Sequence, residues 1–151
     1  MNVQHMVARE ANDNSMMDDV PIKVPVRLYI AFELGLTKWK LAMGDGQLGR
    51  PPRFVNIESA DYEQFVQAVL RAKKHYGMPI ETPIWTCYEA GREAFSLHRV
   101  LADLGCVNVV VDPASIQVDR RSRRVKTDTV DAAALLVMLT RSAQGERPCG
   151  R

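Results

Sequence analysis

The sequence lacks the motifs that cysteine and histidine form in common zinc and redox sites. Its three cysteines, Cys87, Cys106 and Cys149, are far apart and form no CxxC pair, and its three histidines form no HExxH motif. This usage argues against a disulfide framework and a zinc site, and it favours a reducing compartment. No apolar run approaches the roughly 18 residues of a membrane span, and residues 1–19 lack the apolar core of a secretory signal. We therefore predict a cytoplasmic protein with no membrane partner.

Strong charge of either sign is also missing. The 151 residues carry a formal net charge of +2, with 46% hydrophobic and 25% charged residues, which is ordinary for one soluble domain. The positive charge is concentrated near residues 120–126, so its distribution is more informative than its sum. We expect a flexible N-terminal arm over residues 1–24, a folded domain over 25–141 and a frayed tail over 142–151.

The hydrophobic pattern of the domain predicts alternating strands and helices. A nearly unbroken apolar stretch predicts a central strand buried on both faces, and later helices are marked by caps such as Ser59 and by terminal glycines. The predicted strands are 26–34, 38–43, 54–57, 83–88 and 106–111, and the predicted helices are 59–77, 94–104 and about 128–141. This order, β-β-β-α-β-α-β-α, predicts an α/β fold with a mixed five-stranded sheet, and it is the order of RNase H-like domains.

Four acidic residues stand out as candidate site residues. Glu33 lies in the buried first strand, where a carboxylate is costly unless it is hydrogen-bonded, paired or bound to a cation. Glu89 follows the fourth strand. Asp128 and Asp131 are three residues apart, a spacing that places two side chains on one face of a helix. An alternative is that Asp128 is a helix N-cap and Asp131 the acidic N3 residue. Glu58, Glu93 and Asp103 are interpreted as solvated helix residues.

The RNase H-like order brings the four candidates together. If the first strand is central and adjoins the fourth, Glu33 and Glu89 converge, and a helix packed on the sheet adds Asp128 and Asp131. Four carboxylates in one place repel one another unless cations lie among them. We therefore predict that these residues are catalytic and bind Mg²⁺ (or Mn²⁺), with two ions serving in-line phosphoryl transfer.

A basic run leads into the last helix. Its cationic residues are Arg120, Arg121, Arg123, Arg124 and Lys126. Such a run is suited to contacts with the phosphates of DNA or RNA, which position a backbone rather than read bases. A solvated surface loop is the alternative interpretation.

Several motifs resemble the N-terminal domain of DEDD transposases of bacterial insertion sequences, relatives of the Piv and MooV invertases. The most specific is Lys126-Thr127-Asp128-Thr129-Val130-Asp131-Ala132, which reads KTDxxDA. The stretches 88–91, 101–105 and 109–113 also match, and 30–35 with Lys38-Trp39 matches more loosely.

The resemblance covers roughly residues 26–141 and implies a RuvC-like domain with a D-E-D-D metal tetrad. Glu89 takes the E position and Asp128 and Asp131 the last two D positions, whereas Glu33 stands where the family usually has Asp. The family's C-terminal domain, with its nucleophilic serine, is expected to be absent. The resemblance also implies DNA and a structured guide RNA as partners, and we expect a homo-oligomer.

Two other functions fit parts of the sequence. One is a catalytically inactive, truncated remnant that binds nucleic acid or partner subunits. The other is a fragment of an actin-like or sugar-kinase ATPase, because residues 30–38 also resemble the first phosphate-binding hairpin of those proteins. A kinase domain, however, does not require two aspartates such as Asp128 and Asp131 directly after a basic run.

Overall fold

The computed structural model describes residues 26–47, 49–91, 93–112 and 131–145. Within these ranges the elements follow one another as three strands, a helix, a strand, a helix, a strand and a helix. They are β1 Leu28–Leu34, β2 Lys38–Gly44, β3 Arg53–Glu58, α1 Tyr62–Tyr76, β4 Ile84–Glu89, α2 Ala94–Asp103, β5 Val107–Val111 and α3 Ala132–Ala143. The predicted α/β fold with a mixed five-stranded sheet is confirmed. None of the described helices is long and apolar enough to cross a membrane.

The five strands are arranged in the spatial order β3-β2-β1-β4-β5. β1 is central, antiparallel to β2 on one side and parallel to β4 on the other. β1 was predicted to be central and buried on both faces, and its first five residues are buried. Because β1 and β4 are parallel, their carboxyl ends lie at the same edge of the sheet.

Successive side chains along each strand point to opposite faces of the sheet, which divides the interior into two cores. Phe32 of β1 and Trp39 of β2 face the layer formed by α1 and α2, with Phe65 and Leu97 packed against them. Tyr29, Ala31, Ala42 and Cys87 face the other way and pack against Leu135, Leu136 and Leu139 of α3. We call this second side the α3 face of the sheet.

The first helix begins later than its sequence suggests. Ser59 is a good N-cap residue, but the N-cap of α1 is Asp61, whose carboxylate accepts a hydrogen bond from the amide of Gln64 at 3.0 Å. Ala60 has a positive φ of 62°, so the chain turns there before it becomes helical. The predicted C-terminus is confirmed, because Gly77 ends α1 in the left-handed conformation with φ 69°.

The last helix also differs from its prediction at its start. α3 begins at Ala132, and Asp131 is its N-cap, with an extended backbone at φ −73° and ψ 162°. Asp131 is therefore not the N3 residue of a helix that starts at Asp128. The Asp131 carboxylate caps the free amide of Ala134, and the alanines from Ala132 are the best helix formers, which accounts for a start at Ala132.

Candidate acidic cleft

Glu33 and Glu89 occupy adjacent positions on neighbouring strands. In the parallel register of β1 and β4, Phe32 is opposite Tyr88, so the next residues along the two strands are Glu33 and Glu89. Both follow residues of the α1–α2 core and therefore belong to the α3 face. Neighbouring strands are about 4.8 Å apart. The two glutamates are thus brought together, as their placement in the sequence predicted.

Both glutamates line one cleft at this edge of the sheet. The cleft has a volume of about 400 Å³. Its walls are Phe32, Glu33, Leu34, Gly35 and Leu36 from the end of β1, Glu89, Ala90, Gly91 and Glu93 from the end of β4, and Leu135 of α3. Like charges on adjacent strands are unfavourable by themselves. A cation in this cleft would offset the repulsion between the carboxylates.

Glu33 is held by the helix that follows the basic run. Its Oε1 accepts a hydrogen bond from the backbone amide of Ala132, the first residue of α3, at 3.3 Å. The first amides of a helix have no partner within the helix and carry partial positive charge, so a carboxylate is favourable there. This contact offsets the cost of a half-buried carboxylate at the end of β1. The second oxygen of Glu33, Oε2, can still act as an acceptor or ligand.

Asp131 stands at the same helix terminus. Its Oδ1 accepts a hydrogen bond from the amide of Ala134 at 2.8 Å, and the residue is exposed. Glu33 and Asp131 thus bind amides in the first turn of α3, Ala132 and Ala134 respectively. The N-terminal turn of α3 links the end of the central strand to Asp131, which brings the third predicted acid to the neighbourhood of Glu33.

A further acidic residue lines the cleft and was not predicted as a site residue. Glu93 is the N-cap residue of α2 and lines the cleft, whereas its sequence context had suggested a solvated helix position. Tyr62 is close to it: burial raises the pKa of the Tyr62 phenol, and the negative charge of Glu93 raises it further. Glu93 belongs to no local sequence motif. It reaches the cleft because of the path that the chain takes after β4, which the sequence pattern did not predict.

The predicted tetrad is not complete in the described part of the chain. Among residues 26–47, 49–91, 93–112 and 131–145, no group of three or more acidic, histidine or cysteine side chains has the geometry of a metal site. Asp128 lies outside the described residues. Carboxylate oxygens are nevertheless the ligands that Mg²⁺ prefers, and Glu33 and Glu89 provide them side by side. A metal site at these residues stays a prediction.

The predicted nucleic-acid contacts also lie outside the described residues. This applies to Arg120, Arg121, Arg123, Arg124 and Lys126. The described helix that follows them in the sequence begins at Ala132, whose amide donates to Glu33. Their role in binding phosphate stays a prediction.

The chain is similar in sequence to a known protein. The chain is 31% identical over 123 residues to a protein of Sinorhizobium fredii named "Putative transposase y4rJ". The aligned residues make up 79% of this chain and 31% of that relative. No protein-family model matches the chain. The similarity supports a relationship to transposases, and the chain spans about a third of the relative's length.

Proposed function

We propose that this chain is the RNase H-like, RuvC-like domain of a DEDD insertion-sequence transposase and acts in DNA transposition. Its partners are DNA and a structured guide RNA, and it works as a homo-oligomer. The observation that carries the proposal is the pairing of Glu33 with Glu89. They lie at adjacent ends of parallel strands in one cleft. The similarity to a transposase of Sinorhizobium fredii gives the pairing its functional context.

In this proposal Glu33, Glu89, Asp128 and Asp131 hold Mg²⁺ or Mn²⁺. When bound, two such ions activate the attacking oxygen and stabilise the leaving oxygen of an in-line phosphoryl transfer. The protein's part is to fix the ligands. The sheet fixes Glu33 and Glu89 through the strand register, and α3 fixes Asp131 as its N-cap. The cleft then receives a phosphate of the nucleic acid, which the basic run from Arg120 to Lys126 helps to position.

One contact favours a second candidate, a domain that binds nucleic acid without cleaving it. Glu33 is longer than the Asp expected in the family, and Oε1 accepts the amide of Ala132. A carboxylate used to hold a helix has one fewer oxygen for a cation. In the second candidate, Glu33 holds the start of α3 against the end of β1, and the cleft binds metal weakly or not at all.

Metal titration separates the two candidates. The melting temperature is measured with increasing Mg²⁺ or Mn²⁺ for the wild type, Glu89→Gln and Asp131→Asn. Asparagine caps helices as well as aspartate, so Asp131→Asn removes the charge and keeps the cap. A catalytic metal site predicts stabilisation of the wild type, because a ligand that binds the native state raises its stability. The stabilisation is expected to be lost in both variants.

The matched control is Asp61→Asn. Asp61 caps α1 through the amide of Gln64, as Asp131 caps α3, but it is not a predicted metal ligand, and the amide that Glu33 accepts belongs to α3. This variant should respond to metal like the wild type. An unchanged melting temperature of the wild type would exclude the metal site and leave the non-catalytic candidate. Equal responses of Asp131→Asn and Asp61→Asn would exclude Asp131 as a ligand.

Nucleic-acid binding is tested separately, in EDTA. The affinity for duplex DNA and for structured RNA should fall steeply with salt, since binding to phosphates releases counterions. Replacing Arg123 and Arg124 by alanine should lower the slope of log affinity against log salt. A response to salt that is flat in the wild type would remove nucleic acid as a direct partner and overturn both candidates.

A further inference from the structure

A row of polar residues crosses four strands on the α3 face. Starting from Glu89 on β4, the row continues through Glu33 on β1 to Lys40 on β2 and Asn56 on β3. Lys40 is the cross-strand partner of Glu33 and of Asn56. The row therefore changes from acidic to basic within one strand spacing of the cleft, at about 5 Å.

An exposed aromatic ring lies beside this row. Phe54 of β3 is opposite Ala42, which belongs to the α3 core, so Phe54 lies on the same face as Lys40. Phe54 is 53% exposed, although it lies within a strand. The Nζ atom of Lys40 lies 5.8 Å from the centroid of the Phe54 ring. The cation is thus directed to the aromatic ring and not to its cross-strand partner Glu33.

A second lysine and a carboxylate border the pair. Lys38 and Glu58 are cross-strand partners on this face, with Nζ and Oε2 3.7 Å apart and both side chains more than half exposed. Exposed ion pairs of this kind contribute little to stability. The fold therefore does not account for a surface that combines exposed lysines with an exposed ring.

We infer that the surface formed by Lys38, Lys40, Phe54 and Asn56 binds a strand of nucleic acid and leads it into the acidic cleft. Lysine ammonium groups are complementary to phosphates, and an exposed ring provides a face on which a base stacks. Asn56 adds a donor and an acceptor at the edge of the sheet. This inference rests on nucleic acid as the partner in the proposed function, and it adds the path by which a strand reaches Glu33.

The chemistry favours an unpaired strand over a duplex. Bases inside a duplex are already stacked on one another, so Phe54 gains a partner only where a base is free. Lys38 and Lys40 are two residues apart on one strand, so their side chains project from the same face and can follow one backbone. Single-stranded DNA, single-stranded RNA and duplex DNA are therefore separate arms of the test.

The experiment measures fluorescence anisotropy of labelled oligonucleotides with the full chain in EDTA, so the outcome does not depend on metal at the cleft. Phe54→Ala should weaken binding of a single strand about 5-fold to 150-fold, the range for loss of one stacked base. Lys40→Ala should lower the salt slope by about 0.7, the value for one phosphate contact to a single strand. Binding to duplex DNA should change less.

Two matched controls lie in the opposite layer. Phe95 of α2 is 75% exposed, and Lys74 of α1 is exposed. Phe95→Ala and Lys74→Ala should bind like the wild type. In addition, Phe54→Trp should keep the affinity and place an indole at the surface, whose fluorescence should be quenched when a single strand binds. This variant preserves the test if Phe54→Ala does not fold.

Three outcomes would overturn the inference. In the first, Phe54→Ala and Lys40→Ala bind single strands as well as the two controls do. In the second, Phe54→Ala changes the molar mass measured by sedimentation but not the affinity for single strands. This result would mean that the surface is an interface between protein subunits. In the third, the wild type binds no single strand in EDTA. Loss of metal binding at Glu89 leaves these measurements unchanged, so failure of the metal site is distinguishable.

Discussion

The carboxylate of Glu33 accepts a hydrogen bond from the amide of Ala132 at 3.3 Å, across a separation of 99 residues. The contact joins the end of the central strand to the first turn of α3. Through it, Glu33 has a structural role that does not depend on metal binding. It reaches the helix because glutamate is one methylene longer than aspartate.

Replacing Glu33 is expected to separate this structural role from metal binding. Glu33→Ala leaves the amide of Ala132 without its partner and should destabilise the fold by about 1–2 kcal/mol. Glu33→Gln keeps the length and an accepting oxygen, so most of the stability should remain. Urea unfolding without metal measures both changes, and a loss in Glu33→Gln as large as that in Glu33→Ala would contradict the role of the hydrogen bond.

The shorter Glu33→Asp variant introduces the residue that the proposed DEDD tetrad would have at this position, and it tests whether the hydrogen bond to Ala132 needs the longer side chain. It should lose the bond to Ala132 and be less stable than the wild type in EDTA. If the position can bind metal, Mn²⁺ should stabilise Glu33→Asp more than the wild type, because its oxygens are released from the helix. Equal stability of the two proteins in EDTA would show that the bond contributes nothing measurable.

The sequence predicted that Glu33 needed a partner but not which one. A carboxylate after five buried residues indicated a hydrogen bond or a cation, and the structure provides a backbone amide from a distant helix. Backbone partners carry no signature in the sequence, so this contact was not predictable. The adjacency of Glu33 and Glu89 was predictable, because it depends only on the order and direction of the strands.

The turn after β1 should tolerate no side chain at Gly35. A Cβ atom there would lie 2.5 Å from the carbonyl oxygen of Lys38, and the amide of Gly35 donates to that same oxygen at 3.0 Å. Gly35→Ala must therefore shift the β1–β2 turn, and we expect a loss of about 1–3 kcal/mol in urea unfolding.

The control for Gly35 is a second glycine of the cleft, Gly91. Its added Cβ would come no closer than 4.0 Å to a neighbouring atom, the carbonyl oxygen of Glu89. Gly91→Ala should be neutral or slightly stabilising, since it restricts the unfolded chain. Equal losses for both variants would contradict the geometry of the turn.

The far end of α3 depends on Arg27. Its Nη1 donates to the carbonyl oxygen of Ala143 at 3.3 Å, and its guanidinium carbon lies 4.3 Å from the centroid of the Trp85 ring. A cation is favourable at a helix C-terminus and over an indole face. Arg27→Ala should cost about 1–2 kcal/mol, and Arg27→Lys less, because lysine keeps the charge but not the planar contact.

A double-mutant cycle measures the part of this contribution that depends on Trp85. Unfolding free energies are compared for Arg27→Ala, Trp85→Leu and the double variant. The coupling should be about 0.5–2 kcal/mol, because Arg27 and Trp85 are both half-buried and cation–π pairs strengthen as they are desolvated. Additive effects of the two replacements would mean that Arg27 acts only through the helix terminus.

Helix starts show where local patterns are insufficient. Asp128 and Asp131 both have the chemistry of an N-cap, and both precede residues that a helix accepts. Asp131 caps α3, and Asp61 rather than Ser59 caps α1. Asp61 follows Ser59 by two positions, and Asp131 follows Asp128 by three. In each helix, the later of the two possible capping residues is therefore the N-cap. The consequence for the site is that Asp131 belongs to the terminus of α3 and not to its face.

The buried thiols should make the fold sensitive to alkaline pH. Burial raises the pKa of Cys87 from 9.0 to about 12 and that of Cys106 from 9.0 to about 11. Between these values and pH 9, an unfolded thiol releases its proton while the folded thiol keeps it. The native state then binds more protons, so stability falls as the pH rises above 9, by up to about 1.4 kcal/mol per pH unit for each thiol.

Urea unfolding at pH 8, 9 and 10 measures this dependence. It is compared for Cys149→Ser and for Cys149→Ser combined with Cys87→Ala. The combined variant should be less stable at pH 8, since Cys87 is fully buried, but its stability should fall less between pH 9 and 10. Lysines and tyrosines titrate in both proteins, so the difference reports on Cys87. If the unfolding free energies of the two proteins fall equally between pH 9 and 10, ionisation of Cys87 does not contribute to the loss of stability.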